Sequence, residues 1–442
     1  MFSRFCVAKG EGGGGPNNQS VNMGSCINPK QRSTFCNAPR SRAAFRFNPV
    51  QAIALLGTFF GLCSLLVSAQ EQSSTFTTLS SKANAARDAE RLDEAVALYR
   101  KALALRPGWA EGWWSLGTIR YDQSAYVEAA SAFQKVSALA PRNGSAFVML
   151  GLSEFELGRE KLALEHIQKG LDLGVEEDLK FRQVALYHKG VLLQRKGSFG
   201  PAQETLEQLC LLGGQSDEVA NALGMTLLMV TAKNPPPPGS VAADVVVRIG
   251  RAECLAGQKK YEDARPGFEQ VVKENPNYPN VHYAYGLYLL EVRDLAGGVE
   301  QLKQEIKNHP DHISARLRIA AAQYKEDSAA GIPYAEEAVK LAPRLGFAHY
   351  LLGLLLLDTD SYERAITELE TAQKSYSQDA RLYLALGSAY SRAGRKQDAA
   401  RARATFERLN KQGVKSTAGD EVGFRPPAQD KAGAQKDSPP PQ

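Results

Sequence analysis

The amino-acid sequence predicts an all-α fold, an α-solenoid of stacked helix–turn–helix repeats, from three observations. The first is a spacing within residues 110–143, where places 4, 7, 8, 20, 24 and 32 hold Trp113, Leu116, Gly117, Ala129, Phe133 and Pro141. This spacing is typical of two short amphipathic helices packed as a hairpin, and the proline ends the second helix because it cannot continue it. The second observation is that the same offsets recur down the chain at a period of roughly 30–40 residues, which is typical of a solenoid.

The third observation is a small residue at place 8 of most repeats. A glycine there lets the two helices of a hairpin approach closely, and an alanine at place 20 has the same effect from the second helix. One such match is weak evidence, but small residues recur at the same places in many repeats, and this recurrence predicts the fold. The place-8 glycines are Gly117, Gly151, Gly190, Gly224, Gly286, Gly353 and Gly387.

Nine full repeats and one half repeat are expected within residues 76–413. The first repeat has Lys82 and Ala83 where the others have Leu-Gly, and such a polar opening helix suits a terminal cap. The last repeat carries Arg and Lys on the outward face of its second helix, as a C-terminal cap does. The full repeats begin at Phe76, Ala110, Gly144, Gln183, Val245, Pro279, Ile313, Gly346 and Ala380.

The regular pattern breaks in the middle of the chain. Residues 217–230 supply a first helix without a second, and the four prolines at 235–238 favour polyproline II over helix. We interpret this as a half repeat followed by a proline-rich loop at 233–244, which is either a tolerated surface insertion or a functional hinge. The loop is expected to divide an N-terminal array, residues 76–232, from a C-terminal array, residues 245–413.

These motifs resemble those of the tetratricopeptide repeat (TPR) family over residues 76–413. The resemblance implies hairpins stacked into a right-handed superhelix, with the first helix of each repeat on the concave side. It also implies that places 2, 5, 9 and 12 of the first helix face a groove for another polypeptide. Some members of the family hold a C-terminal carboxylate with Lys and Asn, but Ser80 stands where that pattern needs Lys, so this function is not carried over.

Both ends of the chain fall outside the repeats. Residues 1–48 have no apolar periodicity, and residues 414–442 are rich in Lys, Gln, Ala and Pro, so both are expected to be disordered. Residues 49–69 form an apolar run after three arginines and end in Val67-Ser68-Ala69, the pattern of a cleaved secretory signal peptide. The alternatives are an uncleaved membrane anchor, an organelle transit segment and an over-extended start of the reading frame.

The net charge of the chain depends on this leader. The whole chain has a formal net charge of +5, but residues 1–69 hold seven of the 53 basic residues and one of the 48 acidic residues. Residues 70–442 therefore carry 46 basic and 47 acidic side chains, a net charge of −1. A chain of that balance does not attract nucleic acid, so we expect protein or peptide partners.

Sequence motifs for catalysis, cofactors and metals are absent. There is no glycine-rich phosphate loop, no nucleophile elbow, no His-Glu-x-x-His and no Cys-x-x-Cys. We therefore expect no enzyme activity, no cofactor and no metal, with residues 309–312 (His-Pro-Asp-His) as the one alternative for a metal. Cys210 and Cys254 fall at apolar places and are interpreted as buried core residues, with a disulfide between them as the alternative.

The groove-facing places of the first helices carry mostly apolar and aromatic side chains. Such a groove takes the apolar face of a helix or an extended peptide, and its aromatic residues are candidate anchors. The alternative is that a tight superhelix, or the chain's own tail, buries these side chains as core. The candidate peptide-binding residues are Trp114, Tyr121, Val148, Leu152, Phe155, Tyr187, Val191, Tyr283, Leu287, Tyr324, Tyr350 and Leu354.

The predicted function is that of a non-catalytic scaffold or adaptor that binds segments of other proteins outside the cytoplasm. The runner-up is an accessory subunit of a separately encoded envelope enzyme, such as a glycosyltransferase or a peptidase. The expected location is periplasmic or secreted, or membrane-anchored if residues 49–69 stay uncleaved. The fold does not name the client.

Overall fold

A computed structural model describes residues 72–175, 179–231 and 234–413. The expected signal segment at 49–69 and the expected disordered ends lie outside these residues. Every element of regular structure within them is an α-helix, which confirms the predicted all-α fold. The chain divides into two compact units between Pro141 and Arg142.

The first unit consists of two helical hairpins in the part that the structure describes. Ala83 and Ala86 of the opening helix are fully buried against Val96 and Tyr99 of the second helix, so the polar opening helix of the first repeat still packs through its small residues. The helices of this unit are α1 (72–88), α2 (Leu92–Leu105), α3 (Ala110–Asp122) and α4 (Tyr126–Leu139).

The second unit continues the same pattern of paired helices. Its helices are α5 (Gly144–Glu156), α6 (Glu160–Leu173), α7 (Leu179–Arg195), α8 (Phe199–Leu211), α9 (Asp217–Leu227), α10 (Val241–Gly257), α11 (Tyr261–Glu274), α12 (Val281–Glu291), α13 (Leu295–Asn308), α14 (Ile313–Gln323), α15 (Ser328–Leu341), α16 (Gly346–Asp358), α17 (Tyr362–Gln373), α18 (Ala380–Arg392) and α19 (Lys396–Lys411). Several first helices, among them α5, α14, α16 and α18, begin at the residue where the spacing predicts a repeat to begin.

The place-8 glycines lie at the closest approach of the two helices in a hairpin. A Cβ atom added to Gly117 would lie 2.9 Å from the Phe133 ring, and one added to Gly151 would lie 2.7 Å from Ile167. Phe133 and Ile167 both occupy place 24 and are fully buried. A larger residue at place 8 would push the second helix away, because the interior is already close-packed.

A hydrogen bond from place 4 fastens the start of several repeats to the turn before it. Each donor bonds the carbonyl oxygen of the residue six positions earlier, which lies where the preceding second helix has ended. The bond therefore fixes the angle at which a first helix leaves the turn. The pairs are Trp113 Nε1 to Pro107 O (2.8 Å), His282 Nε2 to Pro276 O (2.9 Å), His349 Nε2 to Pro343 O (3.1 Å) and Tyr383 OH to Ser377 O (2.9 Å).

Helix α9 has a partner helix, which corrects the expectation of an unpartnered half repeat. A Cβ atom added to Gly224 would lie 1.8 Å from the carbonyl oxygen of Val246, and one added to Gly250 would lie 1.7 Å from that of Ala220. The backbones of α9 and α10 therefore touch. Helix α10 also packs against α11, so it serves both as the second helix for α9 and as the first helix of the next hairpin.

The proline-rich loop between α9 and α10 does not separate two cores. One apolar cluster contains Leu227 and Leu228 from before the loop together with Val245 and Ile249 from after it. The expected division into two arrays at 233–244 is not seen, because α9 and α10 bury their apolar faces against each other. The described part of the loop, 234–240, is an insertion at the surface of a continuous stack.

Cys210 and Cys254 form a disulfide across this region, which corrects their interpretation as unpaired core residues. Cys210 lies in the last turn of α8 and Cys254 lies on α10, with their Cα atoms 5.4 Å apart. The bond encloses α9 and the proline-rich loop in one covalent ring. A disulfide of this kind stabilises a fold largely by restricting the unfolded chain.

Limited proteolysis is expected to cut the exposed loop between α9 and α10 without separating the products. The disulfide joins the two fragments covalently, and the shared core keeps them folded. A denaturing gel should show one band of full mass without reductant and two bands with it, and the helical circular dichroism should be unchanged after cleavage. In a Cys254→Ser variant the nicked chain should give two bands on both gels. Two bands from the nicked wild type without reductant would mean that the bond does not form.

Candidate peptide-binding surface

The first helices of the second unit lie side by side in two runs. Helix α5 contacts α7, and α7 contacts α9; the second run follows from α10 through α12, α14 and α16 to α18. Side chains at places 5 and 9 therefore point toward neighbouring first helices as well as toward any groove. How much of each side chain remains accessible depends on how tightly these helices pack.

Seven of the candidate residues are buried. Their exposed fractions are all below one tenth, so they present little surface to a ligand. For these positions the structure matches the alternative that packing of the array buries them as core. The seven are Tyr121 in the first unit and Val148, Leu152, Tyr283, Tyr324, Tyr350 and Leu354 in the second.

Tyr283 illustrates why a place-5 side chain becomes buried. Its ring lies 4.9 Å from the imidazole of His312, which precedes α14 in the next repeat. Tyr350 is covered in the same way by Tyr376, with 6.4 Å between their ring centroids. In both cases a ring from a later turn of the chain fills the space beside the first helix.

The other five candidates are half-buried and keep part of their apolar surface accessible. Trp114 belongs to the first unit, where its ring meets Phe133 edge-on at 5.4 Å. The four in the second unit are Phe155, Tyr187, Val191 and Leu287. Whether any of them binds a peptide remains a prediction, and the structure narrows the accessible set to these five.

Phe155 and Tyr187 belong to one aromatic cluster on α5 and α7. His188 lies between them, with its ring 4.8 Å from Phe155 and 5.4 Å from Tyr187, both in edge-to-face geometry. The guanidinium of Arg195 lies 5.1 Å from the centroid of Phe155. Such an arrangement offers ring faces and edges, which suit contact with apolar or aromatic side chains.

His188 is a member of this cluster that the sequence rule missed. It stands at place 6, and the rule considers only places 2, 5, 9 and 12. Its Nδ1 donates to the carbonyl oxygen of Val184 at 2.8 Å. Burial lowers the pKa of the His188 imidazole, and the nearby charge of Arg195 lowers it further, so the ring is neutral at physiological pH.

Tyr187 and Val191 rest on a shared core. Beneath them lie Leu206 of α8, Leu223 of α9 and the disulfide of Cys210. Burial raises the pKa of the Tyr187 phenol, as does the carboxylate of Glu218, and the ring stays uncharged. The accessible parts of Tyr187 and Val191 therefore form an apolar patch that a packed core supports.

The surface extends toward α12 through residues of the second apolar core. Met225 of α9 and Leu287 of α12 are both half-buried and both pack against the cluster that contains Leu228. A methionine adapts its shape to different ligands more readily than a branched side chain does. Met225 stands at place 9 of its repeat, so the rule that selected Leu287 also points to it.

The His-Pro-Asp-His stretch forms a hydrogen-bond network. His309 Nδ1 lies 2.7 Å from Glu305, and His312 Nε2 lies 2.6 Å from the side-chain oxygen of Asn280. His312 also caps α14, because its Nδ1 accepts from the backbone N–H of Ala315 at 3.0 Å. Both imidazoles are thus engaged, and no group of three metal-ligating side chains is found among the residues that the structure describes.

None of the helices within residues 72–175, 179–231 and 234–413 is both long enough and apolar enough to span a membrane.

Comparison with known sequences identifies the repeat. A family profile described as "Tetratricopeptide repeat" matches residues 81–143, 249–313, 317–379 and 350–408. The chain belongs to the tetratricopeptide repeat family. The helix pairs of α5 to α8, which lie outside the matched segments, show the same TPR hairpin in the structure.

Individual relatives are distant. Superkiller protein 3 of Schizosaccharomyces pombe is 22% identical over 142 residues, which is 30% of this chain and 10% of that protein. The human protein O-mannosyl-transferase TMTC3 is 23% identical over 228 residues, 51% of this chain and 22% of that protein. The chain thus spans about a tenth to a fifth of the length of these relatives. A solved structure of MamA from Desulfovibrio magneticus RS-1 is 21% identical, with a TM-score of 0.37, and covers 39% of this chain and 97% of its own.

Proposed function

We propose that this TPR protein is a scaffold that binds an apolar peptide segment along the first helices of its second unit. One observation carries the proposal: half-buried apolar side chains stand at the same repeat places on first helices that pack side by side. Val191 of α7 and Met225 of α9 stand at place 9 on contacting first helices, and Tyr187 adds place 5 of α7. Leu287 of α12 packs on the same apolar core as Met225. The proposal assigns no catalytic step to the chain.

The chemistry of this surface favours a peptide with apolar or aromatic side chains. The rings of Phe155, His188 and Tyr187 are uncharged, and Val191 adds an aliphatic contact. An apolar ligand loses no strong hydration on entering such a surface, whereas a charged one would lose it without a partner. Arg195 is already paired with Glu160 at 2.9 Å, so it does not offer a free charge to the ligand.

Replacing Tyr187 with alanine is expected to weaken peptide binding about thirtyfold, because truncating an aromatic hot spot typically costs about 2 kcal/mol. Peptides would be selected from a random phage-displayed library on the purified full chain, and dissociation constants would then be measured by calorimetry. The selected sequences should be rich in apolar residues, and their affinity should change little with salt because apolar contacts are not screened.

The matched control is Tyr362→Ala. Tyr362 is also a half-buried tyrosine, but it stands at the start of a second helix, α17, where its hydroxyl bonds Asp360 at 2.6 Å. This variant should bind the selected peptides as the wild type does. An equal loss of peptide affinity in both variants, or an affinity that falls steeply with salt concentration, would mean that the peptide binds elsewhere on the molecule. Either result would contradict the proposal.

We further propose that the protein works outside the cytoplasm. The apolar run at 49–69 with its Val67-Ser68-Ala69 ending supports export. The disulfide between Cys210 and Cys254 supports it independently, since such bonds persist mainly in oxidising compartments.

The exported protein is expected to begin near Gln70. Small residues at 67 and 69 fit the cleavage site, so the signal peptidase should remove everything before it. N-terminal sequencing of protein recovered from the extracytoplasmic fraction checks this. An intact Met1 in the membrane fraction would instead mean that residues 49–69 act as an anchor.

A further inference from the structure

Two glutamate side chains meet at the junction between α8 and α10. Glu253 of α10 is 2% exposed, and its carboxyl group is in hydrogen-bonding contact with that of Glu207 on α8. Gln203, one turn earlier on α8, donates from Nε2 to Oε1 of Glu253 at 2.7 Å. Two carboxyl groups can bond each other only if one of them carries a proton, because an ionised carboxylate has no donor.

A nearby cation offsets the negative charge of this pair only in part: burial and Glu291 raise the pKa of the Glu207 carboxyl, whereas Lys259 lowers it. Glu291, at the end of α12, adds a further carboxylate that acts on both glutamates. The cation that follows α10, Lys259, is engaged with Glu291 at 3.1 Å, and the phenol of Tyr261 on α11 donates to the same carboxylate at 3.0 Å.

Helix α9, which also packs on α10, places its charges away from the pair. Its acidic residues Asp217 and Glu218 lie in its first turn. Asp217 pairs there with Arg251 at 2.7 Å, and Glu218 interacts with Ser216. Glu253 therefore faces acids from α8 and α12 and no free cation from α9 or α11.

The two helices are held too closely for the carboxyl groups to move apart. A Cβ atom added to Gly257 of α10 would lie 3.2 Å from the Cβ of Glu207, so the backbone of α10 packs directly on that side chain. Next to the pair, Cys210 and Cys254 join the same two helices covalently. The pair cannot reduce its repulsion by separating unless the junction itself opens.

The site favours retention of one proton by the pair. Burial raises the pKa of the Glu253 carboxyl well above its usual range, and the adjacent Glu207 raises it further. Burial also raises the pKa of Glu207. The two groups titrate as a pair, with one proton shared between them.

We propose that the α8–α10 junction is a pH-sensitive latch, in which a proton shared by Glu207 and Glu253 holds the helices together and the Cys210–Cys254 disulfide limits their separation when that proton leaves. Deprotonation places two carboxylates side by side, one of them on the buried side chain of Glu253. In the oxidised protein the disulfide resists the resulting repulsion. In the reduced protein no covalent bond opposes this repulsion, and α8 and α10 separate.

The sign of the pH dependence follows from proton linkage. The folded pair holds a proton that the unfolded chain has already released above about pH 5, since free glutamate has a pKa of about 4.3. The folded state thus binds more protons, and stability falls as pH rises until the folded pair also ionises. Within that interval each pH unit lowers the folding equilibrium constant about tenfold.

Infrared spectroscopy tests whether the proton is present. At about pH 7 the full wild-type chain should show the carbonyl stretch of a protonated carboxyl group. Glu253→Gln should abolish the band while keeping the fold, because the amide accepts from Gln203 and donates to Glu207 as a protonated carboxyl does. Glu207→Gln should shift the band, because the carboxyl group of Glu253 stays buried and then bonds an amide, and the exposed Glu300→Gln control should leave the band unchanged. The absence of the band in the wild type, or its persistence in both pair variants, would overturn the proposal.

Amide hydrogen exchange tests the latch. In the oxidised protein the exchange rates for α10, corrected for the intrinsic pH dependence, should change less between about pH 6 and about pH 9 than in the reduced protein, because the disulfide limits the separation of the helices. After reduction with a phosphine they should rise at least about tenfold between these pH values in the wild type. The reduced Glu253→Gln variant should show no rise. A reduced wild type without pH dependence, or a reduced variant with the same rise, would show that the carboxyl pair does not hold the junction.

Discussion

Replacing Glu305 with alanine is expected to destabilise the second unit by about 3–5 kcal/mol, because it removes a fully buried charged acceptor. Glu305 lies on α13, yet its carboxylate accepts from the backbone N–H groups of Asn280 (2.9 Å) and Tyr283 (3.2 Å) at the start of α12. It also pairs with His309 at 2.7 Å.

This carboxylate acts as the N-terminal cap of α12. Asn280 has a left-handed backbone and makes no side-chain cap, because its amide instead donates to Leu228 O at 2.7 Å. A negative charge at this end of a helix is favoured by the helix dipole. In the alanine variant two buried N–H groups would lose their acceptor, and each such loss costs about 1–3 kcal/mol.

Urea unfolding followed by circular dichroism measures the loss of unfolding free energy. Because repeat arrays can unfold in parts, amide hydrogen exchange of α12 to α14 provides a local measurement beside it. Glu300→Ala, an exposed substitution on the same helix, should change stability by less than about 0.5 kcal/mol. Glu305→Gln keeps one acceptor oxygen, so one of the two N–H groups stays bonded and the variant should lose less stability than the alanine variant. Equal stability of Glu305→Ala and the wild type would show that α12 does not depend on this cap.

The second large effect is expected from Gly250→Ala, which should destabilise the α9–α10 pair by about 1–2 kcal/mol. The added Cβ would lie 1.7 Å from a backbone oxygen of Ala220, so the two helices must move apart. Overpacking of this kind typically costs about 1–3 kcal/mol and sometimes more. The usual gain of about 1 kcal/mol from replacing glycine within a helix offsets only part of it.

Thermal unfolding of the variant checks this prediction. Amide hydrogen exchange of α9 and α10 is measured in parallel. Gly108→Ala is the matched control, because an added Cβ there meets nothing within 4 Å. It should leave the melting temperature nearly unchanged. If Gly250→Ala has the same melting temperature as the wild type, the close contact between α9 and α10 is absent in solution.

The hairpins could be predicted from the sequence because their determinants are local and periodic. Gly151 and Ile167 meet at a fixed spacing within one repeat, and the same spacing holds for Gly117 and Phe133. A close contact that recurs at constant separation leaves a pattern that can be counted. The family assignment follows from the same pattern.

The partner of α9 could not be found in this way. The contact between Gly224 and Val246 crosses a loop of irregular length, so it falls outside the repeat spacing. Counting by the period assigned α10 to the next repeat alone. Gly250 was the available signal, since a second glycine on a helix next to a glycine-containing helix is typical of close backbone packing.

The accessible surface was only partly predictable, because place within a helix indicates direction and not exposure. Tyr187 and Tyr283 both occupy place 5, yet only Tyr187 stays half-exposed. What covers Tyr283 is His312, and the orientation of that imidazole depends on its bond to Asn280. Such contacts depend on how each side chain is oriented, which the place of a residue within the repeat does not specify.

The covalent ring closed by Cys210 and Cys254 also determines how the chain transmits mechanical force. When the two ends are pulled, tension passes directly from α8 to α10 through the sulfur atoms, and α9 carries none of it. The bond spans 44 positions, so at about 3.5 Å per residue it withholds roughly 150 Å of contour length from the stretched chain. Reduction releases that length, which makes the maximum extension of the protein depend on the oxidation state of its surroundings.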